Sequence, residues 1–187
     1  MEPIQDKKIN IKELLNNSHR YGLTMGGILI ALGMLYYVMD VNMLNIGFSI
    51  LNFVINMGVI ITGMVLATIK FRDKYMDGNI KYANSFLSAW ITAFVALLIS
   101  GLFVILFYWL FDNQYMPKQI EEFGAMMEGK MSEDQLSIMM ERMQEGIQPL
   151  NQLKNTLLAS LVESGILALI VSAFIRKKDN SFESNFR

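Results

Sequence analysis

Cysteine is absent from the sequence and histidine occurs once, at His19. The first absence excludes disulfides, thiolate metal sites and a cysteine nucleophile, and leaves the redox compartment open. The second argues against a histidine-based zinc site and against a Ser-His-Asp triad. Charge is scarce as well: 18% of the residues are Asp, Glu, Lys or Arg, where a soluble domain carries about 25%. The formal net charge is −1, and no extended basic run of the kind that binds nucleic acid is present. What the chain has instead is apolar surface, 53% of its 187 residues, in long uncharged stretches between blocks of charge.

A helix that crosses the hydrocarbon layer needs roughly 20 predominantly apolar residues. Four stretches reach that length, Tyr21–Met39, Met43–Ile69, Ser85–Phe111 and Thr156–Ile175, and Glu163 is the one formal charge inside them. They are apolar all round, which fits helices and not the alternating strands of a membrane barrel. The first is not read as a signal peptide: Met1–Arg20 is long and mixed in charge, and Met39-Asp40-Val41-Asn42 is no small-residue cleavage site. The expected fold is therefore all-α, an integral membrane four-helix bundle. It divides into a cytoplasmic amphipathic N-terminal segment (1–20), three spans (21–111), an extracytoplasmic insert (112–155), the fourth span (156–175) and a cytoplasmic tail (176–187).

Lysine and arginine place the loops, since they accumulate on the cytoplasmic side. Lys7, Lys8, Lys12 and Arg20 precede the first span, Lys70, Arg72, Lys74 and Lys81 follow the second, and Arg176, Lys177, Lys178 and Arg187 follow the fourth. The link Asp40–Asn42 has none, and Asp112–Asn155 sets Lys118, Lys130, Arg142 and Lys154 against eight acidic residues. Both termini are thus expected inside. Tyr36, Tyr37, Tyr108 and Trp109 mark the outer interface and Tyr21, Tyr75 and Tyr82 the inner one.

Outside the spans, Ile11, Leu14 and Leu15 predict a short amphipathic helix on the inner membrane surface. The insert predicts a helical hairpin. Pro117 suits a first helical position, with a helix to about Glu128 before Gly129; Ser132 then caps a second helix, with Gln135 three residues on, ending near Gly146 and Pro149. Methionine is abundant here, at Met116, Met126, Met127, Met131, Met139, Met140 and Met143. Thioethers are soft copper(I) ligands. With no histidine or cysteine beside them, Leu136, Met139, Met140, Met143 and Ile147 are read as an apolar stripe that packs on the first insert helix or on a partner. No cofactor or metal is expected.

Small residues line two spans: Gly22, Gly26 and Gly33 in the first, and Ser85, Ala89, Ala93, Ala96 and Ser100 in the third. Such stripes let membrane helices approach closely. In the second span Asn45, Ser49, Asn52, Asn56, Gly63 and Ala67 share one face, and asparagine in hydrocarbon needs partners. Glu163 lies about seven residues inside the fourth span, roughly 10 Å deep at 1.5 Å per residue, with Thr156 and Ser160 on its face. Asn52, Asn56 and Ser100 fall at similar depth. An ionisable residue inside a span is by default a functional-site hypothesis. The bland reading is that Glu163 bonds to Asn52 or Asn56 and joins two helices. The candidate cluster is Glu163, Asn52, Asn56, Ser100 and Ser160.

Several short motifs also carry a resemblance: Tyr21-Gly22 opening the first span, Phe71-Arg72-Asp73 closing the second, Gly78-Asn79-Ile80 leading to Ser85-Phe86, and Tyr115-x-Pro117 starting the insert. Over nearly its whole length the chain resembles the four-helix inner-membrane proteins of Gram-negative bacteria grouped as domain of unknown function 4199. The resemblance implies the same topology and a bacterial inner membrane, and no established activity. The family pattern often has an acidic residue before the insert proline; Met116 stands there in this chain.

Two functions fit these residues, and neither needs an enzyme. One is an accessory or scaffold protein that binds a membrane partner through its polar seams and its insert. The alternative is a small oligomeric transporter or proton-coupled channel that uses Glu163. The partners expected are the lipid bilayer and either another membrane protein or further copies of the chain.

Overall fold

A computed structural model describes residues 9–175. The expectations for residues 1–8 and for the tail 176–187 lie outside the described residues. The rest is helical, with no strand among the described residues: α1 Ile11–Val38, α2 Ile46–Tyr75, α3 Tyr82–Leu110, α4 Tyr115–Met127, α5 Glu133–Gly146 and α6 Pro149–Ile175. Four of these, α1, α2, α3 and α6, are long and apolar enough to cross a membrane.

Helix α3 is central and packs most extensively on α1 and α6. The cause is side-chain size. A Cβ at Gly22 would stand 2.8 Å from the Thr92 carbonyl oxygen and 2.7 Å from Val95 Cβ, and one at Gly26 would stand 3.2 Å from the Ala96 carbonyl oxygen. The two glycines thus let the backbone of α1 approach α3 across Ala93 and Ala96, which are buried. Two hydroxyls in this seam share one acceptor: Ser18 Oγ donates to the Ser88 carbonyl at 3.2 Å and Thr92 Oγ1 to the same carbonyl at 2.8 Å. Further along, Ile60 and Met64 of α2, Ala89 and Ala93 of α3, and Ala168, Val171 and Ile175 of α6 form one apolar cluster.

The amphipathic stretch at Ile11–Leu15 is not a separate surface helix. It runs without a break into α1, and Leu14 is fully buried beside Phe71, Met76 and Ile80. The reason is that α2 continues beyond its apolar run to Tyr75 and supplies a wall there. Gly78 makes the turn that follows possible: its φ is +83° and its N–H reaches back to the Arg72 carbonyl at 3.1 Å, a helix-ending bond that favours glycine. This end of the molecule carries Arg20, Lys70, Arg72, Lys74 and Lys81 and is called the basic end below; the opposite one is the insert end.

Other boundaries also differ from expectation. Residues Met43–Asn45 belong to a loop, with Asn45 capping α2 through its side chain. Helix α4 begins at Tyr115, so Pro117 occupies its third position and not its first; an N–H there has no acceptor within the helix, and proline costs nothing by lacking one. Helix α6 starts at Pro149, well before the apolar run at Thr156. Ser132 caps α5 as predicted, accepting from the Gln135 N–H at 3.4 Å.

Candidate functional site

Towards the insert end the long helices separate around a cavity of about 600 Å³. Helix α1 contributes Leu29, Gly33 and Tyr36 to its wall, α2 contributes Asn52, Asn56 and Ile60, and α3 contributes Leu97, Ser100 and Gly101. Helix α6 contributes Gln152, Thr156, Ser160 and Glu163, while Met43 and Gly146 border it at the insert end. At the other end the cavity stops at Ile60, where the apolar cluster of α2, α3 and α6 begins. All five residues singled out from the sequence, Asn52, Asn56, Ser100, Ser160 and Glu163, face this one space.

They do not bond to one another across it. Asn56 Nδ2 donates to Asn52 Oδ1 at 2.7 Å, along a single turn of α2. Ser100 Oγ donates at 3.1 Å to the Leu97 carbonyl of its own helix. Glu163 makes no hydrogen bond or ion pair with any described residue. The interhelical bond expected between Glu163 and Asn52 or Asn56 is therefore not formed, because the cavity stands between α2 and α6. The Asn52–Asn56 pair still has one amide N–H on Asn56 and both on Asn52 to offer, facing a wall that bears a carboxyl group.

Gln152 also lines this space and was missed in the sequence. Counting back from Glu163 in steps of three and four gives Ser160, Thr156 and Gln152, so the same face simply continues beyond the apolar run. Gly101 lies against the side chain of Thr156, where a Cβ would collide with the threonine methyl. That contact anchors α6 on α3 next to the cavity.

A second polar assembly docks the insert onto the loop between α1 and α2. Gln119, buried in α4, accepts the Met43 N–H at 2.8 Å. Asn42 Nδ2 donates to Glu122 at 2.7 Å, Tyr37 OH to Asp112 at 2.8 Å and Tyr115 OH to the Val41 carbonyl at 3.3 Å. Tyr115 stacks on Tyr108 with ring centroids 4.9 Å apart. Burial, followed by the nearby Asp40, Tyr37, Asp112 and Glu122, raises the Tyr115 phenol above its usual pKa. These partners are far apart in sequence and share no period, so the sequence marks Tyr37 and Tyr108 as interfacial and Tyr115 as a motif residue without showing that they meet.

A family model described as protein of unknown function (DUF4199) matches residues 20–177. The chain belongs to this family. The matched stretch takes in all four long helices except the first turns of α1, and includes the cavity and the docked insert. No curated protein and no solved structure matches the chain. The DUF4199 description assigns no activity, so a functional reading rests on the geometry of the cavity.

Proposed function

We infer that this DUF4199 protein is a multi-pass inner-membrane protein of Gram-negative bacteria whose cavity binds a small molecule with an apolar body and a cationic or hydrogen-bond-donating group. The observation that carries this reading is Glu163, a carboxyl group inside a span with no partner among the described residues, facing Asn52 and Asn56 across a space of about 600 Å³. Binding pockets commonly enclose about 300–1,000 Å³ with mostly apolar walls and a few polar groups that orient the guest. A polar group in an apolar setting is costly without a partner, and a bound ligand would supply one. The lysine and arginine asymmetry supports termini in the cytoplasm, which puts the cavity in the outer half of the membrane.

Native mass spectrometry of the protein released from its own membrane tests this. A small-molecule adduct is expected on the wild type and is expected to be lost from both Glu163→Gln and Gly33→Leu. A Cβ at Gly33 meets nothing within 4 Å, so leucine there occupies the cavity without a backbone clash. A bare wild-type protein, or an adduct indifferent to both changes, sinks the reading. Proton flux into liposomes that depends on Glu163 would extend binding to transport, as a proton-coupled carrier requires.

The accessory role has its own support. Helix α5 has no fully buried residue, and its apolar stripe of Leu136, Met139, Met140 and Met143 is only half-buried. Met140 covers Gly124 of α4. A membrane protein that co-purifies with the wild type and is lost on deletion of residues 116–146 is the outcome this role requires.

A further inference from the structure

At the basic end, between α1 and α2, lies a second pocket of about 310 Å³. Helical periodicity builds it. Asn16, Arg20 and Thr24 recur every four residues on α1, and Lys70 and Lys74 do so on α2, so two rows of polar side chains face one hollow. None of its lining residues is acidic. Arg20 and Lys70 form no ion pair with any described residue, and Lys74 lies over the Tyr75 ring, 4.9 Å from its centroid. The nearest carboxylate in sequence, Asp73, is engaged by Arg72 at 2.7 Å. Asn17 forms part of the wall, only 9% exposed, and is held by the bond from its Nδ2 to the Ala67 carbonyl at 2.8 Å. It keeps a second N–H for a guest.

Three cations around one hollow repel one another and gain from a shared anion. Arginine and lysine suit phosphate in complementary ways, the guanidinium by paired donors and the ammonium as a point charge. We propose that this pocket is a phosphate-binding site that takes the phosphate of an anionic phospholipid headgroup. Its place favours the lipid over a free phosphate. Tyr21 and Tyr75 flank it as interfacial tyrosines do, and both helices continue from it into apolar stretches where acyl chains would lie. The site is independent of the Glu163 cavity, which opens among α1, α2, α3 and α6 nearer the insert.

The test uses the full-length protein in a neutral maltoside detergent, with phosphatidylglycerol, phosphatidylcholine or inorganic phosphate added separately. Lipid retention is read by native mass spectrometry and stability by thermal unfolding. Phosphatidylglycerol is retained and raises Tm, while phosphatidylcholine, whose choline cancels the phosphate charge, does so far less. Arg20→Gln/Lys70→Gln/Lys74→Gln loses affinity on the order of a hundredfold, at roughly fivefold per cation. A variant that loses equal charge from the terminal segments, Lys8→Gln/Lys177→Gln/Lys178→Gln, keeps it. Lys70→Gln alone serves if the triple variant fails to fold, with a loss of roughly fivefold. Inorganic phosphate that stabilises as strongly as the lipid would overturn the lipid as the source and leave a free-phosphate site. Equal loss in both triple variants, or no preference for phosphatidylglycerol together with no effect of phosphate, overturns the site itself.

Discussion

At the basic end α1, α2 and α3 meet over Leu14, Phe71, Met76 and Ile80, and the Gly22 seam brings two backbones nearly into contact. At the insert end the same helices, joined by α6, stand apart around about 600 Å³. The composition of the facing residues accounts for the difference. Where α3 presents Ala89 and Ala93, apolar side chains from α2 and α6 fill the space between. Where it presents Ser100 and Gly101, the residues around the space are Asn52, Asn56, Ser160 and Glu163 set among apolar ones such as Leu29, Leu97 and Ile105, and together they leave it open. Dense packing at one end holds the frame, and loosely packed, largely apolar walls with a few polar groups at the other leave room for a guest.

The sharpest way to break this comparison is to put the same bulk at two glycines of α1. Gly22→Leu drives a side chain into the Thr92 carbonyl and Val95, and a loss of about 3 kcal/mol is expected, the upper part of the over-packing range. Gly33→Leu, which meets nothing within 4 Å, is expected to change stability by less than about 1 kcal/mol. Thermal unfolding in detergent compares the two; equal losses would mean that α1 is packed alike at both ends.

A smaller effect is expected at the docked insert. Gln119→Ala removes the acceptor of the Met43 N–H and should cost about 1–2 kcal/mol, since a donor withdrawn from water is left without a partner. Hydrogen exchange at Met43 should accelerate while that of α3 stays unchanged. If α3 accelerates equally, the insert and the helix core unfold as one unit and the two ends are not energetically distinct.

The smallest effect concerns alkaline pH. The Tyr115 phenol is raised in the folded protein by burial and by Asp40, Tyr37, Asp112 and Glu122. Its neutral form is therefore the one the fold favours. Its contribution is fully present below the ordinary tyrosine value of about 10 and is lost as pH rises through the higher folded value. Wild-type stability should fall more steeply above about pH 10 than that of Tyr115→Phe, which cannot ionise. Parallel curves would exclude Tyr115 as the cause.

Much of this was legible in the chain. Four long apolar runs, the GxxxG spacing at Gly22 and Gly26, and the polar faces of Asn52, Asn56 and Glu163 are periodic signals, and a helix turns period directly into geometry. Gln152 was legible in principle by the same count. Tertiary packing decided the rest. Leu14 reads as a surface residue until Phe71 is seen to cover it, because α2 outlasts its own apolar run. The Gln119–Met43 and Tyr37–Asp112 bonds join residues 76 and 75 positions apart, a separation at which no local pattern operates.

Glu163 draws the same line most clearly. By itself the sequence determined that a carboxyl group would lie inside a span at the depth of two asparagines, since rise per residue and membrane thickness set depth. Whether those groups would bond or stand apart depended on the distance between α2 and α6. That distance is set by how each packs on α3, with Gly101 against Thr156 on one side and the apolar cluster beyond Ile60 on the other. Close packing is a property of all the contacting surfaces together. Only the tertiary structure could open a cavity there instead of a hydrogen bond.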